Sequence, residues 1–487
     1  MNALDNTFLE GLYYKHDFFT ETDGNYLLLR FRENSKVNLV IRFISRLHPL
    51  SLDEVKKEYV EFFSIGKKHN CFQYRLISTS GFTPDAIEFS ELNMALSDKT
   101  YLHSLKKNTH IELYAHNEVT YRKITEHFDS FNKIAVIQPT GTGKSLVISR
   151  LIMDNPDKSF IVLTPSLFII SEIKKHIAEP ERVKFMTYAK AMWLKEMQMH
   201  KMKADYLIFD EFHRCGAEEW RKGVERLLEN NPDAKILGKS ATPIRYLDNA
   251  RNMADELFEN HVAQNLTLAK AIVTKILPSP KYVSALYTFD EDYNTLKRKI
   301  QKSSARDKKQ LLERLNRMKL DWKQSNGVPA ILKKHISAEI HKIIVFCKDI
   351  SHLRKMKPVV LDWFHKAGFA NIHTYEIHSE NEVSNKSLLE EFEKNKENLD
   401  VLFSVNMLNE GIHVSGVNCV MLLRDTESPV LFFQQVGRCL TINQENEPVI
   451  LDMVNNFNNI RVNEFVRDYD LEKQLYYDKI NALDLPW

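Results

Sequence analysis

Two short runs of this sequence carry residues whose types and spacing suit chemistry on a nucleoside triphosphate. In the first, the apolar run 133–137 leads into Gln138, Pro139, Thr140, Gly141, Thr142, Gly143, Lys144 and Ser145, after which a helical pattern begins. A strand that turns through a glycine-containing loop into a helix start aims backbone N–H groups, and the positive end of the helix dipole, at bound phosphates. Gly141 and Gly143 free the loop backbone for that turn, Lys144 supplies a mobile charge for the β- and γ-phosphates, and the Ser145 hydroxyl can sit on Mg²⁺. In the second run, the apolar stretch 206–209 ends in adjacent acids, Asp210 and Glu211. Such a pair divides two tasks between neighbours, with Asp210 holding Mg²⁺ through water and Glu211 polarising the attacking water. An acid pair alone is an ordinary loop start; downstream of a phosphate loop it points to an enzyme that hydrolyses ATP.

The elements that must position these residues follow from the apolar pattern. A helix near 116–128 precedes the strand 133–137, and short β-rich runs at 160–163, 184–185, 206–209 and 235–237 then alternate with amphipathic segments. That alternation predicts a parallel sheet covered by helices. It resumes at 342–346, 372–375, 401–404, 419–423 and 448–453, giving a second domain of the same kind. Between them the chain turns charged and helical, with Leu311, Leu312, Leu315 and Met318 at helix spacing and basic clusters at Lys297, Arg298, Lys299, Lys308 and Lys309. Upstream, 26–31, 37–44, 52–66 and 72–78 read strand, strand, helix, strand. The expected fold class is α/β: two parallel-sheet domains, a helical insertion, and a small N-terminal α/β domain. The expected boundaries are 1–108, 109–278, 279–338, 339–458 and a helical tail, 459–487.

The ordered motifs resemble those of superfamily-two helicases of the DExH type, in the branch that includes the motor subunits of type I and type III restriction enzymes. They are the phosphate loop with Pro139; Thr164 and Pro165; Thr187 and Tyr188; Asp210, Glu211, Phe212 and His213; Ser240, Ala241, Thr242 and Pro243; Ile344 to Cys347; Asn409 to His413; and Gln434 to Arg438. The resemblance implies that Thr164, Pro165 and Thr187 touch a nucleic-acid backbone. It implies that His213, Ser240 and Thr242 couple hydrolysis to movement, that Gly411 lines the nucleotide cleft, and that Gln434 and Arg438 reach the phosphates from the second domain. Tyr114 and Asn117 fall where the family reads adenine, with Asn117 in place of the expected Gln. Three further departures are Gln138 at the first glycine of the loop, Thr441 at a second arginine, and His413 at an aspartate.

The stretch 72–89 resembles the later part of an Mrr-type restriction-endonuclease domain. Such nucleases need an Asp and a (Glu/Gln)-x-Lys triplet on adjoining strands to hold Mg²⁺. Asn38 to Arg46 has no such triplet, Glu54 and Lys56 have the spacing but fall on a helix, and Asp23 is an unpaired candidate beside Gly24. The implied domain is a degenerate nuclease fold reused for binding.

Bulk properties set outer limits. A chain of 487 residues with 43% apolar and 27% charged residues buries several cores and excludes disorder or a fibrous repeat. Net charge is only +2, so a nucleic-acid site must be a local basic surface. Five scattered cysteines, with no Cys-x-x-Cys pair, predict core thiols in a reducing compartment. No run approaches the ~18 apolar residues of a spanning helix, which predicts a cytoplasmic protein without a membrane partner. The expected activity is an ATP- and Mg²⁺-dependent helicase or translocase, acting on DNA in preference to RNA, with a separate nuclease or defence-system subunit as partner. An RNA helicase and an ATP-gated DNA-binding scaffold are the alternatives.

Overall fold

The structure, a computed structural model, describes the chain outside residues 1–9, 11–12, 14–17, 32–35, 90–92, 106–110, 217, 243, 246–250, 285–295, 297–299, 301–307, 309–310, 314, 316–326, 395–397, 406–407, 409–413, 415, 427, 443–446, 455, 457–461 and 483–487. Two compact units result: Met1–Pro278 with Thr441–Glu445 and Phe465–Trp487, and Ser279–Leu440 with Asn446–Glu464.

The first unit begins with a five-stranded sheet in sequence order: β1 (Phe18–Asp23), β2 (Tyr26–Phe31), β3 (Leu39–Ile44), β4 (Tyr74–Ser78) and β5 (Met94–Ser97). The first three strands are antiparallel, and β4 and β5 continue parallel to β3. The change of direction needs a crossover, which the helix Leu52–His69 makes. This helix buries Val55, Tyr59, Phe62, Phe63 and Gly66 on one stripe. A Cβ at Gly66 would collide with the Tyr74 hydroxyl and the Cys71 carbonyl, so only glycine lets the helix lie this close to β4. Tyr476, on the C-terminal helix Val462–Ala482, packs against the same core.

A six-stranded, wholly parallel sheet follows. Its members are β6 (Lys133–Ile137), β7 (Phe160–Thr164), β8 (Val183–Thr187), β9 (Tyr206–Asp210) and β10 (Lys235–Ser240), then, after a short hairpin of β11 (Ile244–Arg245) and β12 (Arg251–Asn252), β13 (Val262–Asn265). The spatial order is β13-β6-β10-β9-β7-β8. Because side chains alternate along a strand, Leu207 and Phe209 of β9 enter one core while Tyr206 and Ile208 enter the other. This two-sided burial is why the strands read as continuous apolar runs.

The second unit holds another parallel sheet, in the order β14-β19-β18-β15-β17-β16. Its strands are β14 (Lys281–Ser284), β15 (Lys342–Phe346), β16 (Ile372–Ile377), β17 (Leu399–Ser404), β18 (Cys419–Leu422) and β19 (Val449–Asp452). The strand β14 and the helix Gly327–His335 both lie inside the stretch 279–338 read from sequence as an insertion. The strand pairs with β19, and Val328 and Leu332 of the helix join the core of this sheet. Leu296, Ile300 and Leu315 form a small cluster of their own, with Leu311 beside it, whereas Leu312 is exposed. Met318, Lys297, Arg298, Lys299 and Lys309 lie outside the described residues. All five cysteines are buried and unpaired, and no described helix is long and apolar enough to cross a membrane.

Candidate functional site

Strand order brings the two chemical runs together. In the first parallel sheet β6 lies between β13 and β10, and β10 lies between β6 and β9. All point the same way, so the loop after β6, the acids after β9 and the Ser240 segment after β10 leave the sheet at one end. That end is where open α/β sheets bind ligands. Gly141 and Gly143 take φ of 83° and 75°, and the helix Lys144–Asp154 starts directly after them. A Cβ on Gly143 would lie 2.9 Å from Asn117 Nδ2 and 3.5 Å from Tyr114 Cδ2, so the loop fits only with glycine here.

The loop is held from behind by the helix Ala115–His127. Asn117 Nδ2 donates to the Thr142 carbonyl at 2.8 Å, His116 Nε2 meets the same carbonyl at 2.9 Å, and Thr142 Oγ1 donates to Pro139 O at 2.8 Å. Gln138, which replaces the usual glycine, is buried and donates from Nε2 to Asn117 Oδ1 and to Thr120 Oγ1, both at 3.1 Å. Tyr114 caps this helix, with its ring parallel to that of His116.

At the front of the loop Lys144 Nζ donates to Glu211 Oε1 at 2.8 Å. Glu211 adopts φ 54°, a left-handed conformation uncommon for a non-glycine residue and concentrated at functional sites. Its other oxygen accepts from Ser240 Oγ at 3.2 Å, and Ser240 Oγ lies 2.8 Å from His213 Nδ1. Thr242 N donates to Ser240 Oγ at 3.3 Å. The structure therefore joins Lys144, Glu211, His213, Ser240 and Thr242, residues spread over 99 positions, in one bonded cluster. Burial works to raise the Glu211 carboxyl, but Lys144 and His213 outweigh it and keep the group ionised. Burial and the Glu211 charge push Asp210 upward. A buried carboxylate held against its own preference invites a cation, and a hydroxyl with a carboxylate is an oxygen donor set suited to a hard divalent ion. Asp210 and the Ser145 hydroxyl are donors of that class.

Lys239 carries no signal in the motif series. It is fully buried in β10, opposite Asp210 of β9, and donates to the Lys144 carbonyl at 2.9 Å. Burial depresses its ammonium and the nearby Asp210 supports it. A lysine directly after the apolar run Ile236 to Gly238, still within the strand, is the mark that could have found it.

A second set missed from sequence ties the N-terminal sheet to the loop. Gln73 Oε1 accepts from Ala115 N at 3.1 Å and lies 3.4 Å from His116 Nδ1. Arg75, fully buried on β4, donates to Ser97 Oγ at 2.8 Å and Leu113 O at 3.0 Å, and pairs with Glu112 at 2.8 Å and Glu118 at 3.4 Å. Its guanidinium lies 4.2 Å from the Tyr101 ring centroid.

Thr164 and Thr187 end the paired strands β7 and β8 in register. Thr164 is buried and donates to Ser166 O at 2.8 Å, while Thr187 Oγ1 accepts from Lys190 N at 3.2 Å and so caps the next helix. In the second unit Gln434 lies on the helix Pro429–Val436 and Arg438 in the turn Gly437–Cys439, both buried. Gly411 and His413 lie outside the described residues. In the N-terminal domain Asp23 lies 2.7 Å from both Lys68 and His69, so the one candidate nuclease aspartate is engaged by basic side chains. Glu54 sits in the first helical turn, engaged by Arg46 and by the Ser51 cap.

Comparison with known proteins follows this geometry. Residues 169–245 match the type III restriction enzyme res subunit family, and residues 327–443 match the helicase conserved C-terminal domain. The first match lies in the first unit and the second almost entirely in the second unit. The chain is 23% identical over 374 residues to "Putative helicase 22" of Sulfolobus islandicus filamentous virus, covering 65% of this chain and 60% of that one. It is 27% identical over 331 residues to a 51.5 kDa protein of a Lactococcus phage, covering 66% and 65%. The chain therefore spans less than two thirds of either relative. A solved fragment of "a putative HsdR subunit of a type I restriction enzyme from Vibrio vulnificus YJ016" superposes with a TM-score of 0.50 at 15% identity, over 94% of this chain and 80% of the fragment. That likeness bears on fold, which it shares as two RecA-like parallel-sheet domains.

Proposed function

We propose that this chain is an ATP-dependent helicase or translocase, related to the motors of restriction enzymes, that moves on nucleic acid and prefers DNA to RNA. The observation that carries the reading is the Lys144–Glu211–Ser240–His213 cluster at the shared end of β6, β10 and β9. Lys144 neutralises Glu211 in this arrangement, so a triphosphate entering the loop would compete for the lysine. Once Lys144 turns to the phosphates, Glu211 is left as a carboxylate able to accept a proton from water. Ser240 contacts both Glu211 and His213, so a change in the charge of Glu211 is transmitted to the segment that continues to Thr242. Ser145 and Asp210 would hold Mg²⁺, which when bound offsets phosphate charge. Tyr114 and Asn117 are assigned to the base end of the nucleotide, Asn117 acting through the loop whose Thr142 carbonyl it holds. Gln434, Arg438 and Gly411 are assigned to the second unit's share of the reaction, with Arg438 countering charge on the transferred phosphoryl group.

The N-terminal sheet, antiparallel through β3 and parallel from β4, supports the degenerate nuclease-like reading, and its use is binding, either of DNA or of a nuclease subunit. The viral origin of the two relatives named above weighs against confining the role to host defence.

The test is ATP hydrolysis measured in parallel with single-stranded DNA, duplex DNA and RNA. Stimulation by DNA above RNA is expected, and Lys144→Ala should remove hydrolysis under every condition. Hydrolysis indifferent to all three polymers defeats the motor reading, and stimulation by RNA alone replaces DNA with RNA.

A further inference from the structure

The segment 183–203 carries five lysines, Lys184, Lys190, Lys195, Lys201 and Lys203, against one acid, Glu196, in a chain whose net charge is only +2. All five lysines are exposed. Lys184 and Lys203 bond to the carbonyls of Lys201 and Asn230, and among the described residues no acidic partner lies against Lys190, Lys195 or Lys201. At the centre of this surface Trp193 is 78% exposed and Met197 77% exposed. Tryptophan is among the most buried residues on average, so holding an indole in water asks for a reason.

The exposure is built in. The short helices Tyr188–Met192 and Glu196–His200 turn Tyr188, Ala191, Leu194 and Met199 into the core. The corner between them is fixed by Lys195 N donating to Gln198 Oε1 at 3.0 Å, and Leu194, directly after Trp193, is the anchor beneath it. A Cβ at Gly223 would lie 2.8 Å from Met192 N, so the helix Glu218–Asn230 lets this corner seat closely. Among the described residues no ring stacks on Trp193. The first of the two helices is capped by Thr187, at the end of β8. Tyr188, one residue on, stacks on Trp220 and donates from its hydroxyl to the Asp210 carbonyl at 2.8 Å. The surface is thus bonded directly to the strand end that carries Asp210 and Glu211.

We infer that Trp193, flanked by Lys190 and Lys195, is a base-stacking platform for single-stranded nucleic acid, extending the strand path from Thr187. An exposed indole among unpaired ammonium groups is the pairing that single strands use, the ring taking a base face and the lysines the phosphates. Charge complementarity selects a polyanion over an apolar protein face. The inference rests on the motor reading above, and it adds a site and a route, through Tyr188 to Asp210, by which an occupied strand path reaches the hydrolytic acids.

The test uses the full chain and dye-labelled oligothymidylate and oligouridylate, with affinity read by fluorescence anisotropy across a salt series. Trp193→Ala should weaken binding by roughly 5- to 100-fold while Trp193→Phe, which keeps a ring, retains most of it. Lys190→Glu with Lys195→Glu should weaken binding and cut the salt slope by roughly two. Thermal unfolding of each variant should match the parent, since the replaced side chains are exposed. Parent-like binding by Trp193→Ala overturns the inference, as does an equal loss in Trp193→Phe. Changed self-association with unchanged oligonucleotide binding marks a protein interface instead, and overturns it too. If the parent chain binds neither oligonucleotide, the motor reading itself fails, an outcome distinct from loss in the variants alone.

Discussion

Replacing Arg75 with methionine tests whether the N-terminal sheet holds the nucleotide loop in place. The guanidinium is fully buried and serves four acceptors, Ser97 Oγ, Leu113 O, Glu112 and Glu118, of which Glu112 and Leu113 lead into the helix behind the loop and Glu118 lies in its first turn. Burial opposes its charge, and Glu112 foremost, with Tyr101 and then Glu118 behind it, more than restores it. Methionine fills similar volume and leaves Glu112 buried without its cation. Removing one partner of a buried pair costs about 3–5 kcal/mol, far more than the pair's net worth. The double variant Arg75→Met with Glu112→Gln should recover most of that loss, because the buried charge is gone and the remaining partner, Glu118, is partly exposed. The assays are urea unfolding of the parent, both single variants and the double variant, with the KM for ATP measured on each. If the loop depends on this anchor, KM in Arg75→Met should rise by about tenfold, about 1.4 kcal/mol of binding. A double variant as unstable as the sum of the two singles refutes the charge-orphan argument. An unchanged KM in a destabilised Arg75→Met refutes the link to the loop.

Three further outcomes follow from the same geometry. Glu211→Gln keeps an acceptor for Ser240 but loses the base, so turnover should fall by roughly 10²–10⁴ with ATP binding retained, as checked by single-turnover hydrolysis and nucleotide retention; undiminished turnover removes Glu211 from that role. Gly143→Ala puts a Cβ 2.9 Å from Asn117 Nδ2 at a φ of 75°, which should weaken ATP binding by about tenfold or more, from a left-handed penalty of roughly 1–2 kcal/mol plus the clash, as titration with a fluorescent ATP analogue would register. Burial is the main cause that lowers the His116 imidazole to about 4, against a supporting bond to the Thr142 carbonyl. The unfolded chain therefore binds a proton from about pH 6.5 downward while the folded chain does not, and stability falls as pH drops from 6.5 towards 4. Denaturation at pH 7 and pH 5 should show this acid loss reduced in His116→Asn, and equal losses in the two proteins would show that His116 contributes nothing to it.

Local chemistry and order were legible in the amino-acid sequence. The phosphate loop, the acid pair and the Ser240 segment are each written in a few consecutive residues, because backbone turns, helix starts and strand ends are decided by near neighbours. The two-sided burial of parallel strands was legible for the same reason, since it leaves continuous apolar runs such as 206–209. Strands with little apolar content, β13 and β14, escaped that signal, and the engagement of Asp23 by Lys68 and His69, about 45 positions away, was not legible. Tertiary structure alone decided the rest. Gln73 meets His116 across 43 positions, and Lys239 reaches the Lys144 carbonyl across 95. Whether a tryptophan faces core or water depends on what packs beneath it, and at Trp193 the answer is set by Leu194 and a close-fitting Gly223 on another helix. A sequence names the groups that can ionise, stack or coordinate; which of them are buried, and against whom, is fixed only when distant segments exclude water together.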